Sequence, residues 1–404
     1  MGIIFSSFNG LEPLPKLRFL EFKNTYKKTK LNEAVERIQR RDPTSEAPVM
    51  MLSAASGFIM QSEKYSRENA GQSLKKYILL RKGELAYNHG ASKYKPFGCC
   101  FELKEDEARI PYVYHCFAVK ENNDKSYIAR LLNNQKIDQQ LKRLISSSVR
   151  MDGLLNISYE EYTGIDLYLP SLLEQQKIAD FLFLVDRRIE KQRQLVESLK
   201  KYKRGLVFHL FNKNNPINKS IPMRDLLTEI NDRNSVGLRV CSVAVIKGIV
   251  DQIEHLGRSF SASDTSKYRR VHFGDVVYTK SPTGDFPFGI VKQSKIKEDV
   301  AVSPLYGVYK PSSYSTGNLL HLYFEQYQYA NNYIRSLAQK GAKNTINITT
   351  QHFLEKNIIF PYNEVDRVYF SNFFEKLNKL IKFNEGELEK AQSLKKGLLQ
   401  QMFI

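Results

Sequence analysis

The feature that most restricts what this chain can become is a heptad seam between Leu169 and Phe211. No Gly or Pro falls between Pro170 and Gly205. From Ile178, alternating steps of four and three reach Leu182, Val185, Ile189, Gln192, Val196, Leu199, Lys203, Leu206 and Leu210, and eight of these ten positions are apolar. Apolar residues every 3.5 positions make a helix that supercoils against a partner helix. About 35 to 40 residues at 1.5 Å each form a rod of roughly 55–60 Å. A helix resting on one globular core rarely sustains such a pattern over this length.

The partner lies in the same chain. A shift of 192 residues reproduces the seam at Phe370, Phe374, Leu377, Ile381, Asn384, Leu388, Ala391, Lys395, Leu398 and Met402. Both polar interruptions recur, Gln192 with Asn384 and Lys203 with Lys395. The chain is therefore a tandem duplication in which each half ends in a long helix. An antiparallel pair relates the halves by a pseudo-twofold axis. It predicts that Gln192 and Asn384, the midpoints of the two helices, face each other and fix the register.

The segments before the helices also align. At an offset of 191, without a gap from about residue 57 to 170, Gly57 meets Gly248, Gly83 meets Gly274 and Tyr87 meets Tyr278. Pro96-Phe97-Gly98 meets Pro287-Phe288-Gly289, and Pro170 meets Pro361. The framework repeats while the loops differ, as expected of two copies that read different things. Short β-like runs separated by turn signals (Val49–Ala54, Gly57–Met60, Tyr77–Leu80, Leu85–Tyr87, Val113–Val119) precede a helical stretch over Lys125–Ser146 and a strand-like Leu154–Ile157. Residues 26–40 read as a short amphipathic segment. The expected fold class is mixed α/β, with two globular units and two long antiparallel helices. The expected segments are 1–168 for the first unit, 169–213 for the central helix, 214–360 for the second unit and 361–404 for the C-terminal helix. The polar linker Asn212–Ser220 is the clearest boundary.

Charge narrows the partner. The chain carries 61 basic against 43 acidic residues, a net charge of +18 and a pI near 9.5, which points to a polyanion. No apolar run approaches the ~20 residues that cross a bilayer, and the N-terminus lacks the features of a signal peptide. Nucleic acid is preferred to membrane. Four cysteines without paired spacing read as reduced, buried thiols of a cytoplasmic protein.

Candidate contacts cluster in the unlike loops. The first copy offers Asn88, Ser92, Lys93, Tyr94 and Lys95 after Tyr87; the second offers Thr279, Lys280, Ser281 and Thr283 after Tyr278. Arg67 and Arg258 occupy matching places. Further basic clusters are Lys75-Lys76, Lys267-Tyr268-Arg269, and Lys340 with Lys343-Asn344. Cations, amides and hydroxyls of this kind suit phosphates and base edges. Signals of catalysis are missing: there is no phosphate loop ending in Lys-Ser/Thr, no strand-linked G-x-G-x-x-G, no amino-methylating tetrapeptide, and no metal-ligand spacing among seven His.

The start of the central helix, Pro170 then Glu174-Gln175 and Ile178, and its end at Lys203-Arg204-Gly205-Leu206 and Phe211, resemble the specificity subunit of type I restriction–modification systems. So do the second copy ending Lys395-Lys396-Gly397-Leu398-Leu399 and Phe403, and the opening Pro15-Lys16-Leu17-Arg18-Phe19. The resemblance spans essentially the whole chain. It implies a non-catalytic reader of double-stranded DNA in which each target-recognition domain takes half of a bipartite site and the helices set the spacer. It further implies two modification subunits, docked with help from Glu174, Gln175 and Ile178, and restriction subunits. This chain would bind no cofactor; S-adenosylmethionine, ATP and Mg belong to those partners. The C-terminal helix departs in carrying Asp366-Arg367 where the central one has Glu174-Gln175, so weaker contacts are expected there. The alternatives are a stand-alone DNA methyltransferase or nuclease, and a coiled-coil scaffold with no nucleic-acid role.

Overall fold

The computed structural model describes residues 3–5, 14–64, 71–90, 92, 95–145, 155–256, 264–337, 339–340 and 346–404. The chain forms two compact units, Met1–Gln192 with Glu387–Ile404, and Arg193–Gly386. The division falls inside both long helices, because each helix half buries its seam on the globular part beside it. The linker Asn212–Ser220 lies within the second unit. There it terminates the central helix: Asn218 Nδ2 donates to Leu210 O at 2.6 Å and Asn215 Nδ2 to His209 O at 3.3 Å, satisfying carbonyls that a helix end leaves unpaired.

In the first unit a four-stranded antiparallel sheet runs in the order Val35–Arg37, His115–Val119, Leu85–Asn88, Cys99–Glu102. Three ribbons flank it: Ile78–Arg81 with Glu107–Ile110, Met50–Ser53 with Gly57–Met60, and Lys27–Lys30 with Asp166–Leu169. The second unit repeats this sheet and its three ribbons. Its sheet order is Leu227–Glu229, Gly307–Pro311, Val276–Tyr278, Val291–Gln293. Its ribbons are Arg269–Val271 with Val300–Val302, Cys241–Ala244 with Gly248–Asp251, and Asn218–Pro222 with Asn357–Pro361. The duplication also shows in the backbone. Gly57 and Gly248 have φ of 75° and 73°, Gly83 and Gly274 88° and 90°, Gly98 and Gly289 83° and 88°.

The gapless alignment does not hold throughout. Tyr87 faces His115 across the sheet, and its counterpart Tyr278 faces Gly307, an offset of 192. One residue is added between the strands Val291–Gln293 and Val300–Val302, and the offset returns to 191 at the helix caps Ser158 and Thr349. A connecting loop absorbs one residue at little cost, whereas a strand that slips by one turns its side chains to the wrong face. Residues 26–40, read as a short amphipathic segment, divide into three short elements. Leu31–Ala34 is a single turn between the strands Lys27–Lys30 and Val35–Arg37, since a lone turn is weak against two sheet pairings. The stretch read as one helix is two, Lys125–Leu131 and Gln135–Leu144. The Asn134 side chain breaks it by accepting from Lys136 N at 3.0 Å and capping the second helix. Residues 155–157 form no strand.

The long helices, Leu172–Leu210 and Glu364–Met402, contain 39 residues each. None of the seam positions on either is exposed. In the first unit Ile178, Ala179 and Leu182 share a core with Leu398, Met402 and Phe403, around Phe19, Tyr127 and Leu167. In the second, Val207, Leu210 and Phe211 share one with Phe374, Leu377 and Ile381. In each unit the start of one helix packs with the end of the other, so the pair runs antiparallel. All four cysteines are free and buried. Among the described residues no helix is long and apolar enough to cross a membrane.

Candidate nucleic-acid interface and helix joints

The loops expected to differ are built on a shared base. Tyr87 and Tyr278 are buried, and their hydroxyls donate to Phe97 O at 2.6 Å and Phe288 O at 2.7 Å. Gly98 and Gly289 follow at positive φ. A Cβ would stand 2.5 Å from Asn88 O at the first and 2.9 Å from Thr279 Oγ1 at the second, so only glycine closes the loop. The base is thus fixed by backbone chemistry, and the residues between are free to vary.

In the second loop Lys280 stands apart. It is the only described non-glycine residue at positive φ, 53°. Burial pulls its ammonium below the ordinary lysine pKa; the charge of Arg269 adds to this and Glu229 opposes it. No hydrogen bond or ion pair to that ammonium occurs among the described residues. A half-buried cation at positive φ with only the more distant Glu229 to offset it keeps Lys280 a candidate for ligand contact. Ser281 is exposed, and Thr283 Oγ1 donates to Ser281 O at 3.0 Å. Thr279 is 2% exposed, and its Oγ1 accepts from Ile290 N at 3.0 Å.

Several other candidates are occupied within the fold. Asn88 Nδ2 donates to Leu52 O at 3.2 Å while its Oδ1 accepts from Gly90 N at 2.9 Å. Ser92 Oγ accepts from Lys95 N at 3.1 Å, and Lys95 Nζ donates to Asn133 O at 3.0 Å. Arg269 Nη1 donates to Ile230 O at 3.1 Å and Asn231 Oδ1 at 2.8 Å, beside Glu229. These side chains shape the loops, because short polar groups beside a turn find backbone partners before they reach solvent. Lys75, Lys76 and Lys267 are exposed and Tyr268 is half-buried. Arg67, Lys93, Tyr94, Arg258, Lys343, Asn344 and the side chain of Lys340 lie outside the described residues.

Glu174 and Gln175 turn inward. Glu174 is 1% exposed and receives Arg18 Nε and Nη2, each at 2.8 Å, and Tyr26 Oη at 3.1 Å. Gln175 Oε1 accepts from Asp124 N at 2.9 Å, and its Nε2 donates to Asn123 Oδ1 and Pro170 O, both at 3.0 Å. With Ile178 in the core, these residues join the helix to its own unit. Their amphipathic spacing was legible, but the partners at Arg18 and Tyr26 are about 150 residues away and were not. The C-terminal helix uses different chemistry for the same joint: Arg367 Nε donates to Pro361 O at 2.8 Å and Nη2 to Tyr362 O at 3.0 Å. Asn384 is buried and donates Nδ2 to Leu380 O at 2.8 Å in its own helix; Gln192 is half-buried at the end of the first unit.

Sequence reasoning also missed the ion pairs that fasten the helices. In the first unit Asp186 takes Arg130 at 2.8 Å and Lys395 at 2.6 Å. In the second, Lys203 pairs with Glu325 at 3.0 Å and Lys295 with Glu375 at 3.2 Å. Among the described residues no group of His, Cys, Asp and Glu could hold a metal ion.

The sequence matches no family model and no curated protein. The fold, however, has solved counterparts. The chain is similar to the crystal structure of the type I restriction–modification system S subunit from M. genitalium, with a TM-score of 0.59 and 11% identity over 97% of this chain and 99% of that one. It is similar also to a chain from work on complex assembly and conformational transition of the type I R-M system, with a TM-score of 0.52 and 14% identity over 95% and 99%. This chain has the fold of type I specificity subunits.

Proposed function

We propose that this chain is the DNA-specificity subunit of a type I restriction–modification complex and performs no chemistry itself. The observation that carries the reading is the match of the whole fold, duplicated halves and long helices included, across almost the full length of both chains. The net charge of +18, the matching loop bases with unlike tips, and the half-buried Lys280 at positive φ support it. In this reading each unit reads half of a bipartite site on double-stranded DNA and the helices set the spacer. Methyl donor, ATP and Mg sites belong to modification and restriction subunits, in the cytoplasm.

Exposed apolar side chains on the helices suit partner docking: Leu173, Leu184, Leu195 and Tyr202 on the central one, Val365, Tyr369, Phe383 and Leu394 on the C-terminal one. Two of these recur at equivalent positions, Leu173 with Val365 and Tyr202 with Leu394. This face, rather than Glu174 and Gln175, is the proposed seat of the modification subunits.

The test is to co-express the chain with its modification subunits and sequence the methylated positions in host DNA. A two-part sequence with a fixed spacer is expected, and replacing residues 221–360 by the unit of a relative should change one half only. Methyl transfer by the purified chain alone would overturn the reading in favour of a stand-alone methyltransferase. Absence of salt-dependent DNA binding would favour a scaffold.

A further inference from the structure

The two units fill one position differently. In the second, the carboxylate of Glu325 accepts from Lys203 Nζ at 3.0 Å and Lys292 Nζ at 3.4 Å, with His321 Nε2 at 3.3 Å. His321 Nδ1 accepts from Gln293 N at 3.1 Å, which leaves the ring hydrogen on Nε2, facing Glu325. Burial opposes ionisation of Glu325, but the neighbouring His321, Lys292 and Lys203 outweigh it and hold the carboxylate well below its ordinary pKa. Anion and cations close on one another, and Lys292 is 3% exposed.

The duplication maps this cluster onto the first unit residue by residue. At an offset of 192, Lys203 corresponds to Lys395, His321 to Ala129 and Glu325 to Asn133; at 191, Lys292 corresponds to Phe101. All four counterparts line one cavity of about 410 Å³. The imidazole has become a methyl and the carboxylate a shorter amide, and the space they would fill stands open. The negative charge is lost with them. Lys95, Lys104, Arg130 and Lys395 border the cavity against Glu102 and Asp186, four cations to two anions. Asp186 already serves both Arg130 and Lys395. The volume lies within the range of small-molecule sites, and Phe101 and Leu399 supply apolar wall.

We propose that this cavity binds a small organic oxyanion, whose phosphate or carboxylate takes the place beside Lys395 that the Glu325 carboxylate holds beside Lys203. Arg130 and Lys395 supply charge-assisted hydrogen bonds, and Arg130 can engage two oxygens at once. The strand Cys99–Glu102, Asp186 of the central helix, and Lys395 of the C-terminal helix all border the cavity. A bound anion therefore braces the first unit's sheet on its helix ends, as the Glu325 side chain does through its ion pairs in the second.

The experiment follows thermal unfolding and calorimetric binding of the full chain with AMP, inorganic phosphate, citrate and adenosine. AMP or citrate is expected to raise the first unfolding midpoint by roughly 5–10 °C at a hundredfold excess over Kd, and adenosine to leave it in place. AMP acting with phosphate assigns a phosphate ligand; citrate acting alone assigns a carboxylate. Ala129→His fills the cavity with the second unit's own side chain, and Lys395→Gln removes a cation at similar size. Each is expected to weaken binding at least tenfold while circular dichroism stays native. No response to AMP, phosphate or citrate would overturn the proposal, as would an equal response to adenosine or a response unchanged in both variants.

Discussion

Glu174→Gln is the sharpest test of how the first unit is held to its helix. Arg18 and Glu174 are 5% and 1% exposed, and two hydrogen bonds of 2.8 Å join them, with Tyr26 adding a third to the carboxylate. The hydrogen bond to Glu174 raises Arg18 above its ordinary pKa in spite of burial, so the guanidinium stays charged at every working pH. The amide keeps the volume, removes the negative charge, and forces one donor-to-donor contact. Removing one partner of a buried pair strands the other and costs about 3–5 kcal/mol. At ~1.4 kcal/mol per decade that is about two to four decades in the unfolding constant of the first unit. Urea unfolding with an intrinsic fluorophore in each unit would show the first transition moving to lower denaturant and the second staying in place. An Arg18→Met, Glu174→Leu double variant should recover most of the loss, because an apolar pair of similar size leaves no stranded charge. A loss under ~1 kcal/mol in Glu174→Gln, typical of exposed ion pairs, would refute the reasoning.

Three further outcomes are expected. Burial holds the His115 imidazole down to about 4, from an ordinary 6.5, while its Nε2 bonds to Ile157 O. The unfolded chain therefore takes up the proton first, so stability is full above pH 6.5 and falls by up to about 3 kcal/mol toward pH 4. His115→Gln should flatten that dependence in unfolding measured across the range. Lys280→Ala should weaken DNA binding and, if the ammonium meets a phosphate, lower the salt slope by about one; unchanged affinity and slope in a filter or fluorescence titration would remove the residue from the interface. Gln192→Leu with Asn384→Leu should stabilise the helix pair yet loosen its register, read as more than one spacer length among methylated sites; a single spacer length would show that the amides do not specify register.

Much of this protein could be read from its residues. Local periodicity alone determines a long helix, so the seams at Ile178–Leu210 and Phe370–Met402 were legible, and every seam position proved covered. Repetition made the duplication legible, because glycines at Gly83 and Gly98 are demanded by backbone geometry that recurs at Gly274 and Gly289. What the loop residues do was not legible. A Lys, Asn or Thr in a polar loop has the same sequence signature whether it awaits a ligand or closes a turn, and only the surrounding backbone decides. Thr279 and Asn88 spend their groups on neighbouring backbone atoms, whereas the Lys280 ammonium makes no hydrogen bond or ion pair among the described residues. The joint at Glu174 and the cavity beside Lys395 depend on residues more than a hundred positions apart. Their pairing is set by packing, which no local pattern encodes, so tertiary structure alone decided that one half of the duplication closes on a carboxylate and the other stays open.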